Sequence, residues 1–287
     1  MQELWKIFRK PRLFRSSGSL MSMDRPMVMG ILNVTPDSFY DGGRYETGEM
    51  VRLRASRMIS EGADILDIGA CSTRPGAQEP DMETERSRLD LALSILRADY
   101  PDIILSVDTY RSEIADWAIE AYNIQIINDV SGGEMDPRMY SVVGRHRVTY
   151  ILMHMLGIPR TMQVNPVYRE VTGDVIRTLA TRVNALEQAG VSDIWIDPGF
   201  GFGKSLDDNF SLLDHLHDFQ IFERPLVVGL SRKSMIYRAL DTAPEAALNG
   251  TTVLHTVALL KNADILRVHD VKQAIECIHL IEKVKAN

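Results

Sequence analysis

Cysteine is scarce in this chain. Cys71 and Cys277 are the only two among 287 residues. Two thiols cannot build a disulfide framework, and they suit a reducing compartment, which points to the cytoplasm. Long apolar runs are also missing. No stretch reaches the roughly 18 consecutive apolar residues of a membrane span. Excess positive charge is lacking too: the formal net charge is −7. That argues against a protein that coats nucleic acid, although an acidic chain can still hold a local cationic pocket for a small anion. No linker, low-complexity tract or internal repeat beyond strand–helix alternation interrupts the sequence.

One further absence decides a reading. Residues 197–205 are "DPGFGFGKS", which looks like a phosphate loop. A Walker-type loop ending in Gly203-Lys204-Ser205 needs glycine at 198, and Pro198 stands there, with no N–H to offer a phosphate. The glycines at 199, 201 and 203 also miss the dinucleotide spacing G-x-G-x-x-G. The loop therefore serves something other than a nucleotide.

What is present is a regular alternation. Short, nearly continuous apolar runs occur at 27–32, 64–69, 103–107, 124–128, 149–153, 193–197, 226–230 and 264–268. Such runs are expected of parallel strands buried on both faces. Amphipathic segments at 48–61, 81–99, 111–122, 168–189, 207–220, 245–262 and 270–284 lie between them. Asp81 and the Asp108-Thr109 pair supply helix starts. Eight strands alternating with helices, in a chain longer than the ~250 residues such a fold needs, predict an α/β fold of the (β/α)8 TIM-barrel type. Residues 26–287 would form this single barrel domain. Residues 1–25 differ: Lys6, Arg9, Lys10, Arg12, Arg15 and Arg25 face only Glu3 and Asp24. Their Arg-rich composition also fits a targeting leader. The preferred reading is a β-hairpin, "RLF", "SSGS" and "LMSM", closing the barrel floor.

Every strand ends in polar residues. The first is followed by Asn33, the second by Ser72, Thr73 and Arg74, the third by Asp108, and the fourth by Asn128 and Asp129. Met153 and His154 close the fifth and Asp197 the sixth. Ser231, Arg232 and Lys233 follow the seventh, Arg267 and His269 the eighth. A single such Asp reads more simply as a helix N-cap. Polar endings on all strands point instead to one mouth, where barrel active sites are built.

By residue type the mouth divides in two. Asp108, Asn128, Asp197 and Lys233 can read a heterocycle with amino donors and a ring carbonyl. The two acids also suit a general acid/base pair, and the lysine a Schiff base. Asn33, Thr73, Arg74, Arg267 and His269 suit an anion, with arginine matched to the fork of phosphate oxygens. Asn33 can also offer an oxygen to Mg2+ bridging a diphosphate.

The segments "MGILNVTPDSF" (29–39), "DIGACSTRPGA" (67–77), "SVDTYR" (106–111), "INDVSGG" (127–133), "DPGFGFGKS" (197–205), "GLSRKSMI" (229–236) and "RVHDV" (267–271) resemble the dihydropteroate synthases, as does "MHM" followed by "GIPRTMQ" around Leu156. The resemblance covers residues 27–285. It implies a transferase of folate biosynthesis that condenses a dihydropterin methyl diphosphate with p-aminobenzoate. It implies that Asp108, Asn128, Asp197 and Lys233 hold the pterin, with Met153 and Phe202 packing near its ring. Asn33, Thr73, Arg74, Arg267 and His269 resemble the diphosphate and Mg2+ site. Phe39, Pro75 and Ser231 resemble the p-aminobenzoate site. Asp108, Asp197, Lys233, Arg74, Arg267 and His269 are the candidate catalytic groups. A homodimer and a sulfonamide target are implied as well.

On this reading "DPGFGFGKS" is a pterin-binding loop, with Lys204 at its periphery. The loops after the first two strands are expected to close over the site. There are departures. Ala70-Cys71 stands where the family commonly has Gly-Glu, and Leu156 and Ile158 replace a more polar pair. Cys71 reads as a packing residue rather than a nucleophile. Two other functions stay open: a folate-to-corrinoid methyltransferase, which would not need the arginine and histidine group, and a noncatalytic pterin-binding barrel, which would have lost it.

Overall fold

The computed structural model describes residues 12–16, 19–35, 44–71, 79–157 and 166–286. Thr73, Arg74, Pro75, Phe39 and Ile158 lie outside the described residues, as do most of the loops after the first two barrel strands.

A two-stranded hairpin, β1 (Arg12–Ser16) and β2 (Ser19–Met23), precedes the barrel and pairs antiparallel. The barrel strands are β3 (Met27–Asn33), β4 (Ile65–Gly69), β5 (Ile104–Asp108), β6 (Ile126–Asp129), β7 (Thr149–Met153), β8 (Ile194–Asp197), β9 (Val227–Val228) and β10 (Ile265–Val268). All neighbours are parallel, in the order β8-β7-β6-β5-β4-β3-β10-β9. A parallel bridge between Ile196 and Leu226 joins β8 to the start of β9 and closes the barrel.

The helices are α1 (Arg44–Ser60), α2 (Met82–Asp99), α3 (Ser112–Tyr122), α4 (Met139–His146), α5 (Val171–Gln188), α6 (Leu206–Asp214), α7 (Ser234–Ala239), α8 (Leu248–Leu260) and α9 (Val271–Ala286). α4 and α7 are not among the expected helical segments. They span 8 and 6 residues and lack a side-chain N-cap, so they carry little of the local signal that sequence periodicity needs. The expected 207–220 segment divides at His215 into α6 and a 3-10 turn over Leu216–Phe222. Asp81 caps α2, accepting the Thr84 N–H at 2.7 Å. Ser205 and Asp208 form a reciprocal capping box at the start of α6.

Alternation along the strands sorts the side chains into two cores. Val28, Leu32, Leu66, Ile68, Leu105, Val107, Ile127, Leu152, Ile196, Val228, Leu266 and Val268 point outward and pack against the helices. Inward-pointing Met27, Met29, Ile65, Ile104, Ile126, Ile151, Trp195, Val227 and Ile265 fill the lower barrel. The hairpin seals this layer from below. Phe14, 1% exposed, meets Trp195 edge to face at 5.4 Å, and Met23 joins the same cluster. Arg12 pins the hairpin to the foot of β10 through Asp264 (3.6 Å) and Gln220 (2.8 Å).

Candidate active site

Side chains on one strand face alternate with period two, so residues two positions above the apolar floor also point into the barrel. The floor set Ile65, Ile104, Ile126, Ile151, Trp195 and Ile265 therefore gives way to Asp67, Ser106, Asn128, Met153, Asp197 and Arg267. One step higher stand Gly69 and Asp108. Strand pairing places Asn33 beside Gly69, Gly69 beside Asp108, and Asp108 beside Asn128. Met153 pairs with Asp197 across the barrel wall. The mouth is thus a polar tier laid on an apolar floor by strand alternation.

The structure brings Asp108, Asn128 and Arg267 into one hydrogen-bonded group, joining the two groups that residue type had separated. Arg267 Nη2 donates to Asp108 Oδ2 at 2.7 Å. Its Nε donates to Asp67 Oδ2 at 2.7 Å. Asn128 Nδ2 donates to the same oxygen at 3.1 Å, and Ser106 Oγ donates to Asp67 Oδ1 at 2.6 Å. Asp67 is fully buried and was missing from the sequence-based candidates. Its signal was present in "DILDIG": an acid with the parity of Ile65 and Gly69 must point into the barrel.

Burial pulls the Arg267 guanidinium down, but Asp67 and Asp108 outweigh it and raise it above its ordinary value. Burial pushes the Asp108 carboxyl up, and Arg267 opposes without cancelling. Burial likewise raises Asp197, against Lys233, the Gly199 N–H and Arg267. These acids are costly to ionise in the open site. Partners that donate N–H groups to them relieve that cost.

Lys233 donates Nζ to the Phe200 carbonyl and sits 4.6 Å from the Phe202 ring centroid, a cation over an aromatic face. Burial draws its amine down to about 8, with Asp197 opposing. Phe202 packs with Met153, Met155 and Val130 in a small apolar cluster. The mouth therefore sets a small apolar cluster beside two carboxyls, an amide and an amine.

The glycines of "DPGFGFGKS" serve close approach. A Cβ on Gly199 would lie 1.9 Å from the His154 carbonyl oxygen, and one on Gly203 would lie 2.4 Å from that of Leu156. Both have positive φ, +73° and +63°. Only glycine lets this loop press against the one after β7. Lys204 is 3% exposed and lies inside the loop.

Ser231 Oγ accepts the His269 backbone N–H at 3.2 Å, so the loops after β9 and β10 share a bond. The same loops are tied by Arg232, which makes a two-pronged ion pair with Asp270 at 2.8 and 2.9 Å. Burial, reinforced by Arg267, pulls His269 down to about 4, so its imidazole is neutral near pH 7 and acts as a hydrogen-bonding group. Cys71 is half-buried, and burial pushes its thiol up, which suits a packing residue.

Asn33 Oδ1 lies 3.1 Å from the place a Cβ on Gly69 would occupy, beside Asp108. One neutral oxygen at the rim fits Mg2+ that arrives largely hydrated on a diphosphate, because this ion keeps several waters and takes few protein ligands. The one grouping of three metal-competent side chains among the described residues, Asp116, Glu120 and His146, belongs to α3 and α4 rather than to a strand end.

Comparison with known proteins agrees with this geometry. The sequence pattern of the family described as "Pterin binding enzyme" matches residues 29–269. The dihydropteroate synthase of Escherichia coli K12 is 39% identical over 269 residues, covering 93% of this chain and 94% of its own. That of Bacillus subtilis is 39% identical over 257 residues, covering 89% and 87%. Among solved structures, the Xanthomonas albilineans enzyme with 4-aminobenzoic acid superposes with a TM-score of 0.89 at 39% identity, covering 97% of this chain and 100% of that one. The Yersinia pestis enzyme with a sulfonamide complex gives 0.88 at 36% identity, covering 96% and 99%. A barrel whose mouth joins buried acids, an amide and cations, and whose sequence runs parallel to these enzymes over nearly its whole length, belongs to the pterin-binding enzymes as a member of the dihydropteroate synthase family.

Proposed function

We propose that the chain condenses 6-hydroxymethyl-7,8-dihydropterin diphosphate with p-aminobenzoate, releasing 7,8-dihydropteroate and diphosphate. The enzyme is a transferase that forms this product for folate biosynthesis. The observation that carries the reading is the contact of Arg267 with Asp108: the groups suited to a pterin and those suited to its anionic tail meet at one side chain. Solved relatives are described with 4-aminobenzoic acid and with 7,8-dihydropteroate, which fits both ends of the reaction.

In this reading Asp108, Asn128 and Asp197 accept or exchange hydrogen bonds with the pterin edge, and Lys233 donates to its ring carbonyl. Met153 and Phe202 contact the ring. Asn33, Arg267 and His269 take the diphosphate, together with Thr73 and Arg74 of the loop outside the described residues. Phe39, Pro75 and Ser231 take p-aminobenzoate, and a sulfonamide, such as the drug described with the Yersinia pestis relative, would compete for that subsite. Asn33 would hold Mg2+, which supplies charge neutralisation on the leaving diphosphate.

The carbon–oxygen bond breaks with both electrons going to diphosphate, whose charge Arg267 stabilises. The carbon left behind is conjugated with an electron-rich ring, and ionised Asp108 and Asp197 favour its cationic character. The aniline nitrogen then attacks and gives up its proton. The displacement is dissociative, S_N1-like, and passes through no covalent enzyme intermediate. Trapping of a pterin on any side chain would overturn that mechanism.

The test of the function is diphosphate release. Release that requires both substrates supports the synthase. Pterin binding without turnover would favour a noncatalytic barrel, and methyl transfer to a corrinoid would favour the methyltransferase. Lys233→Ala is expected to weaken pterin binding by about 1.5–3 kcal/mol, the scale of a charged hydrogen bond. Titration calorimetry checks this, and an unchanged affinity removes Lys233 from the site.

The enzyme acts as a cytoplasmic homodimer in this reading. No helix among the described residues is long and apolar enough to cross a membrane. α8 carries no charged residue over Leu248–Leu260. It leaves Val253 and Leu260 more than half exposed, while α9 beside it leaves Leu280 and Val284 67% exposed. Exposed apolar side chains on two packed helices suit a second partner. Light scattering should give twice the chain mass of 32.3 kDa. Leu260→Glu combined with Leu280→Glu should reduce it to a single chain. An unchanged dimer would place the interface elsewhere.

A further inference from the structure

Lys204 is a buried cation that the proposed reaction does not use. Its side chain runs back into the loop of residues 199–203. Nζ lies 2.8 Å from the Gly199 carbonyl, 3.1 Å from the Phe202 carbonyl and 3.1 Å from His154 Nδ1. An ammonium has three N–H donors and no acceptor. Here the three donors meet four acceptors, the His154 carbonyl at 3.5 Å being the fourth, so the site is matched to the charged form. His154 is suited to accept. Burial, reinforced by Lys204, pulls its imidazole down to about 2, so the ring is neutral, with Nδ1 accepting and the proton on Nε2.

The surrounding contacts show what this cation holds. The His154 N–H donates to the Asp197 carbonyl at 3.0 Å, and the Asp197 side chain accepts the Gly199 N–H at 2.7 Å. Tyr168 Oη donates to the Gly203 carbonyl at 2.7 Å, and Asn209 Oδ1 accepts the Gly201 N–H at 2.7 Å. Lys233 takes the Phe200 carbonyl from the other side. The loop thus runs between two lysines. One faces the mouth, and the other is sealed behind it. Burial pulls the Lys204 amine down to about 7, with Asp197 and Asp208 opposing and Lys233 reinforcing. Sealed from water, the ammonium form is held by the two loop carbonyls at 2.8 and 3.1 Å and favoured by the Asp197 and Asp208 charges.

We propose that Lys204 is a positioning residue for the pterin half of the reaction: its ammonium clamps the Gly199 and Phe202 carbonyls to His154 and so sets the Phe202 ring and the Asp197 carboxylate. It touches no substrate. A neutral side chain of similar length would leave the Phe202 carbonyl and the His154 Nδ1 short of a donor, would leave the Gly199 carbonyl with only the Phe202 N–H at 3.2 Å, and would remove a positive charge near Asp197. The loop would then relax, and the slot for the ring would lose its fixed wall.

This inference rests on the pterin reading of the site, so the wild-type enzyme is the reference. In steady-state kinetics with the dihydropterin diphosphate and p-aminobenzoate, Lys204→Met should raise KM for the pterin substrate roughly tenfold or more, the scale of one or two lost charged hydrogen bonds. KM for p-aminobenzoate should stay near its wild-type value, because Ser231 and its neighbours lie on other loops. His154→Leu, which keeps the ammonium and removes one acceptor, should shift the pterin KM the same way by less, and it decides the matter if Lys204→Met does not fold. An unchanged pterin KM, or equal rises for both substrates, would overturn the proposal. A wild-type enzyme without turnover would instead overturn the functional reading.

Discussion

Asp67→Ala is expected to cost about 3–5 kcal/mol of folding stability, the scale of breaking a buried ion pair from one side. It should also abolish most diphosphate release. Asp67 is fully buried and receives hydrogen bonds from Arg267, Asn128 and Ser106. Its removal leaves all three donors short of an acceptor and leaves the guanidinium held by Asp108 alone. Arg267 would then draw harder on the carboxyl proposed to read the pterin. Urea denaturation and the diphosphate assay measure the two effects. A stability loss below about 1 kcal/mol would mean that water or a neighbour replaces the carboxylate. The double variant Asp67→Leu with Arg267→Met separates stability from function. Replacing a whole buried pair with apolar groups is often neutral. Stability should recover in the double variant while turnover does not.

Phe14→Ala carries the second large effect, about 3–5 kcal/mol for deleting a buried phenyl ring. Here the expected signature is opposite in kind. Phe14 belongs to the floor, in edge-to-face contact with Trp195 and among the inward side chains of the lower barrel. The proposed catalytic groups stand at the other ends of the same strands. Conservation of stability at the floor and of chemistry at the mouth is the usual division of labour in such barrels. The variant should unfold at lower denaturant yet keep its kcat and both KM values when assayed well below its melting temperature. A loss of turnover in fully folded protein would show that the hairpin reaches the site through the strands. Phe14→Leu should cost less, because it leaves a smaller cavity.

Much of this architecture could be read without coordinates because its signals are local. Continuous apolar runs and the longer helical period are set within a few residues, and among the described residues they marked all eight barrel strands and seven of the nine helices. The two helices that escaped, α4 and α7, are too short for a periodic signal. The polar strand ends were legible as well, since Asn33, Asp108, Asn128, Asp197, Lys233 and Arg267 each follow or close an apolar run. Asp67 escaped because it sits within such a run, where it reads as one polar residue in an apolar strand. The burial of Lys204 was not legible for the opposite reason: nothing local says that the chain folds over a lysine that follows a glycine-rich loop.

The amino-acid sequence by itself determined the strands, most of the helices and, Asp67 apart, which described acids and cations stand at the mouth, because each depends on neighbours a few positions away. Only the closed barrel decided the partnerships. Arg267 and Asp67 are 200 residues apart, and Lys204 and His154 are 50 apart. They meet because β10 returns beside β3 and β8 lies beside β7. Which carboxylate holds the arginine, and which carbonyls hold the buried lysine, is fixed by strand register and close packing around the whole ring of strands, and those are properties of the assembled barrel.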